Sequence, residues 1–168
     1  FELADKYRNP VVVLADGFLG QAMEPVVMRE PVREIPDKPW ATTGAQGRPR
    51  NVLYSLEMEP VDLPPRVTHL CQKLDKIQRN EVRFEAMNLD DASLVIVAYG
   101  SASRSALTAM KMARQEGLTV GLLRLITLYP FPTEFLSKLA QRVDNFLVAE
   151  LSTGQLIEDV KLSVGLDK

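Results

Sequence analysis

LVIVAYGSASRSA (94–106), VGLLRLITLYPFP (120–132) and FLVAELSTGQLIEDVKLSV (146–164) share one plan: an apolar run, a turn marked by Gly, Ser or Pro, then a helical pattern. Alternation of this kind builds a parallel sheet with helices on its faces, because parallel strands can be joined only by long crossovers. Such sheets carry their ligand or partner surface at the carboxyl ends of the strands. The three turns are therefore expected along one edge. In the stretch after Gly100, Ala106, Met110 and Ala113 share a helical face, and Gly117 stands where a left-handed cap belongs. Pro130 and Pro132 stop the second run, with Thr133 placed to cap the next helix. The third helix directs Leu156, Ile157 and Val160 inward and leaves Glu158, Asp159 and Lys161 to solvent. The expected fold class is α/β, a three-layer α/β/α domain on a mostly parallel sheet.

Upstream, FELADKYRNP (1–10) reads as the last turns of an amphipathic helix, with Leu3, Ala4 and Tyr7 at helical spacing and Asn9-Pro10 as its stop. Phe1 is not a start methionine, and the chain is expected to be a piece of a longer polypeptide. Residues 11–15 form a continuous apolar, β-branched run expected as a strand buried on both faces and ending at Asp16-Gly17. Eight of the 11 prolines then fall between Pro25 and Pro65. Proline fixes φ and removes a donor, so this tract is expected to be an extended, ordered connector holding a domain boundary. Trp40 is its expected anchor. Arg48 and Arg50, beside Gly44 and Gly47, suit either an anion-holding turn or a solvated one, and the solvated turn is the expectation. Beyond the connector, Val67, Leu70, Leu74 and Ile77 alternate three- and four-residue spacing, the stripe of one long helix packing on its own sheet.

Composition removes several function classes. With 20 basic and 22 acidic residues the formal charge is −2, and no basic stripe with interleaved aromatics is present, so nucleic acid is not expected as a partner. No apolar stretch approaches the roughly 20 residues needed to cross a bilayer; no membrane association and a cytoplasmic location are expected. Cys71 is the sole cysteine and His69 the sole histidine. One thiolate cannot hold an iron–sulfur cluster, and two residues spaced by two in a helix do not share a face. Both are read as structural, and no metal ligands are assigned.

Tyr99-Gly100-Ser101-Ala102-Ser103-Arg104 offers an anion site. A glycine lets the backbone approach, and a helix start supplies unpaired N–H groups with a favourable dipole. The candidate residues are Gly100, Ser101, Ser103 and Arg104, without a GxGxxG pattern or a P-loop lysine. The competing reading makes Ser101 or Ser103 the helix N-cap. Glu150, before Ser152-Thr153-Gly154-Gln155, is expected on the same edge as Ser101 and Thr127, hydrogen-bonding turn amides rather than acting as a base, since no second carboxylate or histidine accompanies it. Ala15-Asp16-Gly17 invites comparison with the Gly-Asp-Gly opening of the thiamine-diphosphate motif, whose Asp and later Asn bind magnesium. The first asparagine available is Asn51, beyond the proline-rich tract, and the spacing fails. No catalytic residue is assigned.

The order of motifs nevertheless resembles the alpha subunit of a 2-oxoacid:ferredoxin oxidoreductase, particularly the 3-methyl-2-oxobutanoate (2-ketoisovalerate) and 2-oxoglutarate types. The matching pieces are LADKYRNPVVVLADGFLGQAMEPV (3–26), KPWATTGAQGRPRNVLYSL (38–56), NEVRFE (80–85), DASLVIVAYGSASRSA (91–106), and the second and third runs quoted above. Leu125 and Tyr129 depart from it, standing where the family commonly has proline and tryptophan. The resemblance implies oxidative decarboxylation of a 2-oxoacid on thiamine diphosphate, electrons leaving through iron–sulfur clusters to ferredoxin, and acyl transfer to coenzyme A. It also implies beta and gamma/delta partner subunits, with magnesium, thiamine diphosphate and clusters held elsewhere and none expected in this segment. On it, residues 1–27 are the end of a pyrimidine-binding domain, 28–65 a connector, 66–90 a linking helix, and 91–168 a domain resembling the C-terminal domain of transketolase. This segment is then mainly scaffold and interface. Two other readings stay open: a transketolase or 2-oxoacid dehydrogenase beta-type subunit, against which the KPWATTG stretch stands, and a non-catalytic anion-binding or interaction module.

Overall fold

A β-branched, leucine-rich run is stable as a central parallel strand only when both its faces and both its edges are covered. In the computed structural model, which describes residues 1–31 and 37–165, the run beginning at Leu94 meets that condition. Residues 32–36 of the expected connector and 166–168 of the expected last domain lie outside the described residues. The elements are α1 (Glu2–Tyr7), α2 (Gly17–Gln21), α3 (Leu63–Asn80), β1 (Phe84–Met87), β2 (Leu94–Tyr99), α4 (Gly100–Gln115), β3 (Val120–Leu125), α5 (Thr133–Leu139), β4 (Asn145–Ala149) and α6 (Gln155–Val164). The four strands form one sheet in the order β1-β3-β2-β4. β2 pairs in parallel with β3 and with β4, and β1 closes the β3 edge antiparallel.

Side chains alternate across a strand, so β2 feeds two cores. Val95 and Val97 join Leu123 and Leu125 under α5 and α6, which contribute Leu136, Leu139, Leu156 and Val160. Ile96 and Ala98 join Leu122 under Ala106 and Met110 of α4 on the opposite face. This is the three-layer α/β/α arrangement, with a mostly parallel sheet. Each fully buried Val or Leu contributes about 1.5–3 kcal/mol, and Val95, Val97, Leu122, Leu123 and Leu136 are all fully buried.

The amino end of the sheet is clamped by two arginines. Arg114 donates to Val120 O (2.6 Å), Asn88 O (2.9 Å) and Asp91 Oδ1 (2.6 Å), and Arg142 donates to Leu89 O (2.7 Å) and Asp90 O (3.0 Å). This draws the loop before β2 down onto β3. A Cβ at Gly121 would lie 2.7 Å from Leu89 Cδ2 and 2.9 Å from Asn88 O, so only glycine fits.

The chain divides into two compact units, one of Phe1–Ala22 with Cys71–Lys168 and one of Met23–Leu70; the boundary falls within α3. In the second, Asn51 Nδ2 donates to Pro39 O (2.6 Å) and Ala41 O (3.0 Å), Arg48 Nη2 donates to Ala41 O (3.1 Å), and Arg66 pairs with Glu57. Trp40 is half-buried there. In the first unit, Glu81 ties α1 to the end of α3. Its carboxylate, 7% exposed, accepts from Lys6 Nζ (2.7 Å), Tyr7 OH (2.6 Å) and Arg83 Nη2 (3.1 Å).

Five local expectations change, one of them being Ile157, expected inward on α6 and 37% exposed. Residues 11–15 form no strand and pair with no neighbour among the described residues, with Val12 76% and Val13 89% exposed. Propensity supplies extended backbone, but a buried strand also needs neighbours. The linking helix expected over 66–90 ends at Asn80, because residues 84–87 are β1, and its Val67, Leu70 and Leu74 stay exposed with only Ile77 buried. Thr133 begins α5 rather than capping it; Pro132 is the N-cap, with no side-chain bond. Neither Ser101 nor Ser103 caps α4, whose N-cap is Tyr99.

Gly121→Ala is expected to lower stability by about 1–3 kcal/mol, the range for overpacking a filled site, read as a reduced urea midpoint. The second expectation concerns acid. The Lys6 ammonium, then the Tyr7 hydroxyl, hold the Glu81 carboxyl at about 2, below its ordinary 4.5. A depressed carboxyl stabilises fully above its unfolded value and loses that contribution as pH falls through its folded one. The stability gap between the native chain and Glu81→Gln should therefore be level above pH 4.5 and close between 4.5 and 2; urea titrations across that range check it, and a gap unchanged at the acid end overturns the assignment.

Candidate functional site

β2 hands the chain to α4 on one face and β4 hands it to α6 on the other. Loops that diverge from neighbouring parallel strands open a crevice at their carboxyl ends, the usual ligand position in open α/β sheets. A cleft of about 280 Å³ lies there, lined by Tyr99, Gly100, Ser101 and Ala102 from one strand end and Leu151 and Ser152 from the other. Its remaining wall is Leu14, Ala15, Asp16 and Leu19.

The candidate anion residues separate in space and role. Gly100 makes the turn from strand to helix at φ +55°, a conformation in which a side chain is strained, although nothing lies within 4 Å of the place a Cβ would take. Ser101 donates its hydroxyl to the Asp16 carboxylate. Ser103 is buried and its Oγ donates back to Gly100 O (2.6 Å). Arg104 is exposed. Asp16 Oδ1 meanwhile accepts from Leu19 N–H (2.8 Å), making it the N-cap of α2. The Ser101 hydroxyl, then the Leu19 N–H, hold the Asp16 carboxyl below its usual range. An anion arriving at the start of α4 therefore meets a carboxylate already there.

Glu150 does the same for α6. Its two oxygens lie 3.2 and 3.3 Å from Leu156 N, and Ser152 Oγ donates to it. Thr127 braces the third turn on this edge: Oγ1 accepts from Arg83 N (3.0 Å) and donates to Pro130 O (2.9 Å). The sequence placed Gly100, Thr127 and Glu150 on one edge but missed Asp16 as its fourth member. The Asp-Gly-Phe-Leu pattern is legible as a helix start; the partner, Ser101, stands 85 positions on and leaves no local signal. Arg48 bonds its own turn through Ala41 and Pro49, and His69 and Cys71 are exposed on α3.

Comparison with known proteins agrees with this architecture. Residues 92–167 match the family described as pyruvate:ferredoxin oxidoreductase core domain II. Across 98% of its length the chain is 45% identical to ketoisovalerate oxidoreductase subunit VorB of Methanothermobacter thermautotrophicus, of which it covers 47%. Across 96% it is 31% identical to 2-oxoglutarate synthase subunit KorA of Methanocaldococcus jannaschii, of which it covers 50%. The chain belongs to the 2-oxoacid:ferredoxin oxidoreductase family. It spans about half the length of the curated relatives it matches. A 2-oxoglutarate:ferredoxin oxidoreductase from Magnetococcus marinus, solved with 2-oxoglutarate, coenzyme A and succinyl-CoA bound, superposes on 65% of this chain and 19% of its own with a TM-score of 0.57 at 18% identity. At that identity the likeness is one of fold.

As a segment of this oxidoreductase family, the chain presents a donor set that does not fit a magnesium-diphosphate site or a cluster. Asp16 is spent on Ser101 and Leu19, and the Asn51 amide on two carbonyls. Among the described residues no three of His, Cys, Asp and Glu come together as metal ligands. The described helices include none long and apolar enough to cross a membrane.

Glu150→Ala leaves the Leu156 N–H unanswered at the start of α6 and is expected to cost about 0.5–2 kcal/mol, the range for a lost helix-start acceptor. Glu150→Gln, which keeps an acceptor oxygen, should cost less; equal urea midpoints for Glu150→Ala and the native chain would falsify the capping role.

Proposed function

We propose that this chain is part of the alpha subunit of a 2-oxoacid:ferredoxin oxidoreductase, and that its own contribution is scaffold and subunit interface. The carrying observation is the 45% identity, over nearly the whole chain, to a ketoisovalerate oxidoreductase subunit, against 31% to a 2-oxoglutarate synthase subunit. That difference favours a branched-chain 2-oxoacid as substrate. In the reaction the bond between the carboxylate and keto carbons breaks, CO2 leaves, and the acyl carbon bonds to the sulfur of coenzyme A. Two electrons pass to ferredoxin and one proton, that of the thiol, to solvent.

Thiamine diphosphate, magnesium and the iron–sulfur clusters belong, on this reading, to other parts of a cytoplasmic complex with beta and gamma/delta subunits. Residues 1–27 close a pyrimidine-binding domain, 28–65 connect, and 91–168 form the transketolase-like domain. What supports a scaffold role is an edge whose helix starts are answered by Asp16 and Glu150 and whose cleft holds no acid–base pair. Acid–base catalysis needs such a pair within reach of the substrate.

The full-length protein, purified without oxygen with its partner subunits, is expected to reduce ferredoxin or a viologen dye only when a 2-oxoacid and coenzyme A are both supplied, faster with branched-chain acids than with 2-oxoglutarate. Acylation of lipoamide without dye reduction would sink this reading.

A further inference from the structure

The crevice between the ends of β2 and β4 has the topology of a ligand site, with two helices starting from it and diverging. Their first N–H groups and dipoles favour negative charge. Both helix starts are met by carboxylates of the chain itself, and the two carboxylates differ in reach. Glu150 bonds an amide six positions away. Asp16 bonds Ser101 across 85 positions, through the hydroxyl, while its other oxygen starts α2. One side chain thus serves two helices.

We propose that Asp16 is a positioning residue for the reaction: its carboxylate is the tethered occupant of the anion position at the β2/β4 crevice, and so fixes where residues 11–21 lie against the sheet. The inference rests on the function proposed above. The glycine at the turn answers its positive φ, and the helix start works without a P-loop lysine because its Ser101 hydroxyl already meets the Asp16 carboxylate. Leu14 and Leu19 flank Asp16 and line the cleft with Leu151, so the carboxylate enters between apolar side chains. Segments that position reacting groups tolerate little displacement, and a fixed polar joint with apolar shoulders suits that task.

The test uses the full-length protein assembled with its partner subunits, reading 2-oxoacid- and coenzyme-A-dependent viologen reduction together with backbone hydrogen exchange. Asp16→Ala and Ser101→Ala should each lower kcat about tenfold with KM for the 2-oxoacid unchanged, while Ser101→Thr, which keeps the hydroxyl, should retain kcat. Formate is small enough to enter the vacated position. In excess it should restore part of kcat to Asp16→Ala and not to Ser101→Ala, and should slow the exchange at residues 17–21 that the substitution accelerates, with β2 unaffected. Native kcat in Asp16→Ala overturns the proposal, as does a Ser101→Thr variant no better than Ser101→Ala. A loss that comes with faster exchange throughout β2 and no response to formate marks a merely structural role and overturns it too. If the native complex reduces no dye with any 2-oxoacid, the functional reading fails; formate-responsive exchange at 17–21 would then still uphold the joint, and its absence would overturn that as well.

Discussion

The fold depends on the full coverage of β2. A strand with parallel partners on both edges and apolar side chains on both faces has its middle, Val95 to Ala98, shut off from water, so five elements of the sheet unit answer its surfaces. β3 and β4 take its edges, α4 one face, α5 and α6 the other. Crossovers in such sheets are right-handed, and a helix on one face must then carry the chain in the opposite direction to a helix on the other. That rule places β3 and β4 on opposite sides of β2. Divergent loops at the carboxyl ends follow from it, and the crevice follows from them.

Long-range polar contacts then decide what the crevice contains. The opening helix and the α2 segment are distant in sequence from the sheet, yet each is tied to the sheet unit by one carboxylate. Glu81 receives Lys6 and Tyr7, and Asp16 gives Ser101 an acceptor. The chemistry of the two ties differs. Glu81 sits in a charge-assisted cluster sheltered from water, where hydrogen bonds are stronger and harder to replace. Asp16 accepts from one hydroxyl and one backbone N–H, that of Leu19, an interaction set by direction more than by charge. The first anchors a helix; the second aims a loop.

Most of the sheet was legible in the sequence because its parallel strands are long apolar runs punctuated by Gly and Pro. The rest was hidden for identifiable reasons. β1 is only Phe-Glu-Ala-Met, an antiparallel edge too short for a periodic signal, with Glu85 facing Arg124 across the pair at 2.9 Å. Residues 11–15 carry a stronger β signal than β1 does, and still do not pair, because pairing is decided by neighbours and not by propensity. The serines after Gly100 looked like caps because caps are local; one bonds back into its own turn and the other reaches Asp16. Edge membership of Gly100, Thr127 and Glu150 followed from strand polarity, whereas the occupant of the cleft depended on a contact no local pattern encodes.

These constraints also explain how a segment of a redox enzyme family can be so poor in reactive groups. Catalytic carboxylates and hydroxyls are useful when they are held near substrate with their bonding capacity unspent. On this edge Asp16, Ser101, Glu150 and Thr127 all have their capacity committed to the chain's own helix starts and turns. What stays uncommitted is apolar: Leu14, Ile126, Tyr129 and Leu151, each more than half exposed. Large apolar side chains gathered at one edge mark surfaces for association rather than for chemistry. An edge that satisfies its polar groups internally and leaves its apolar ones outward fits the interface role proposed above better than it fits an active site.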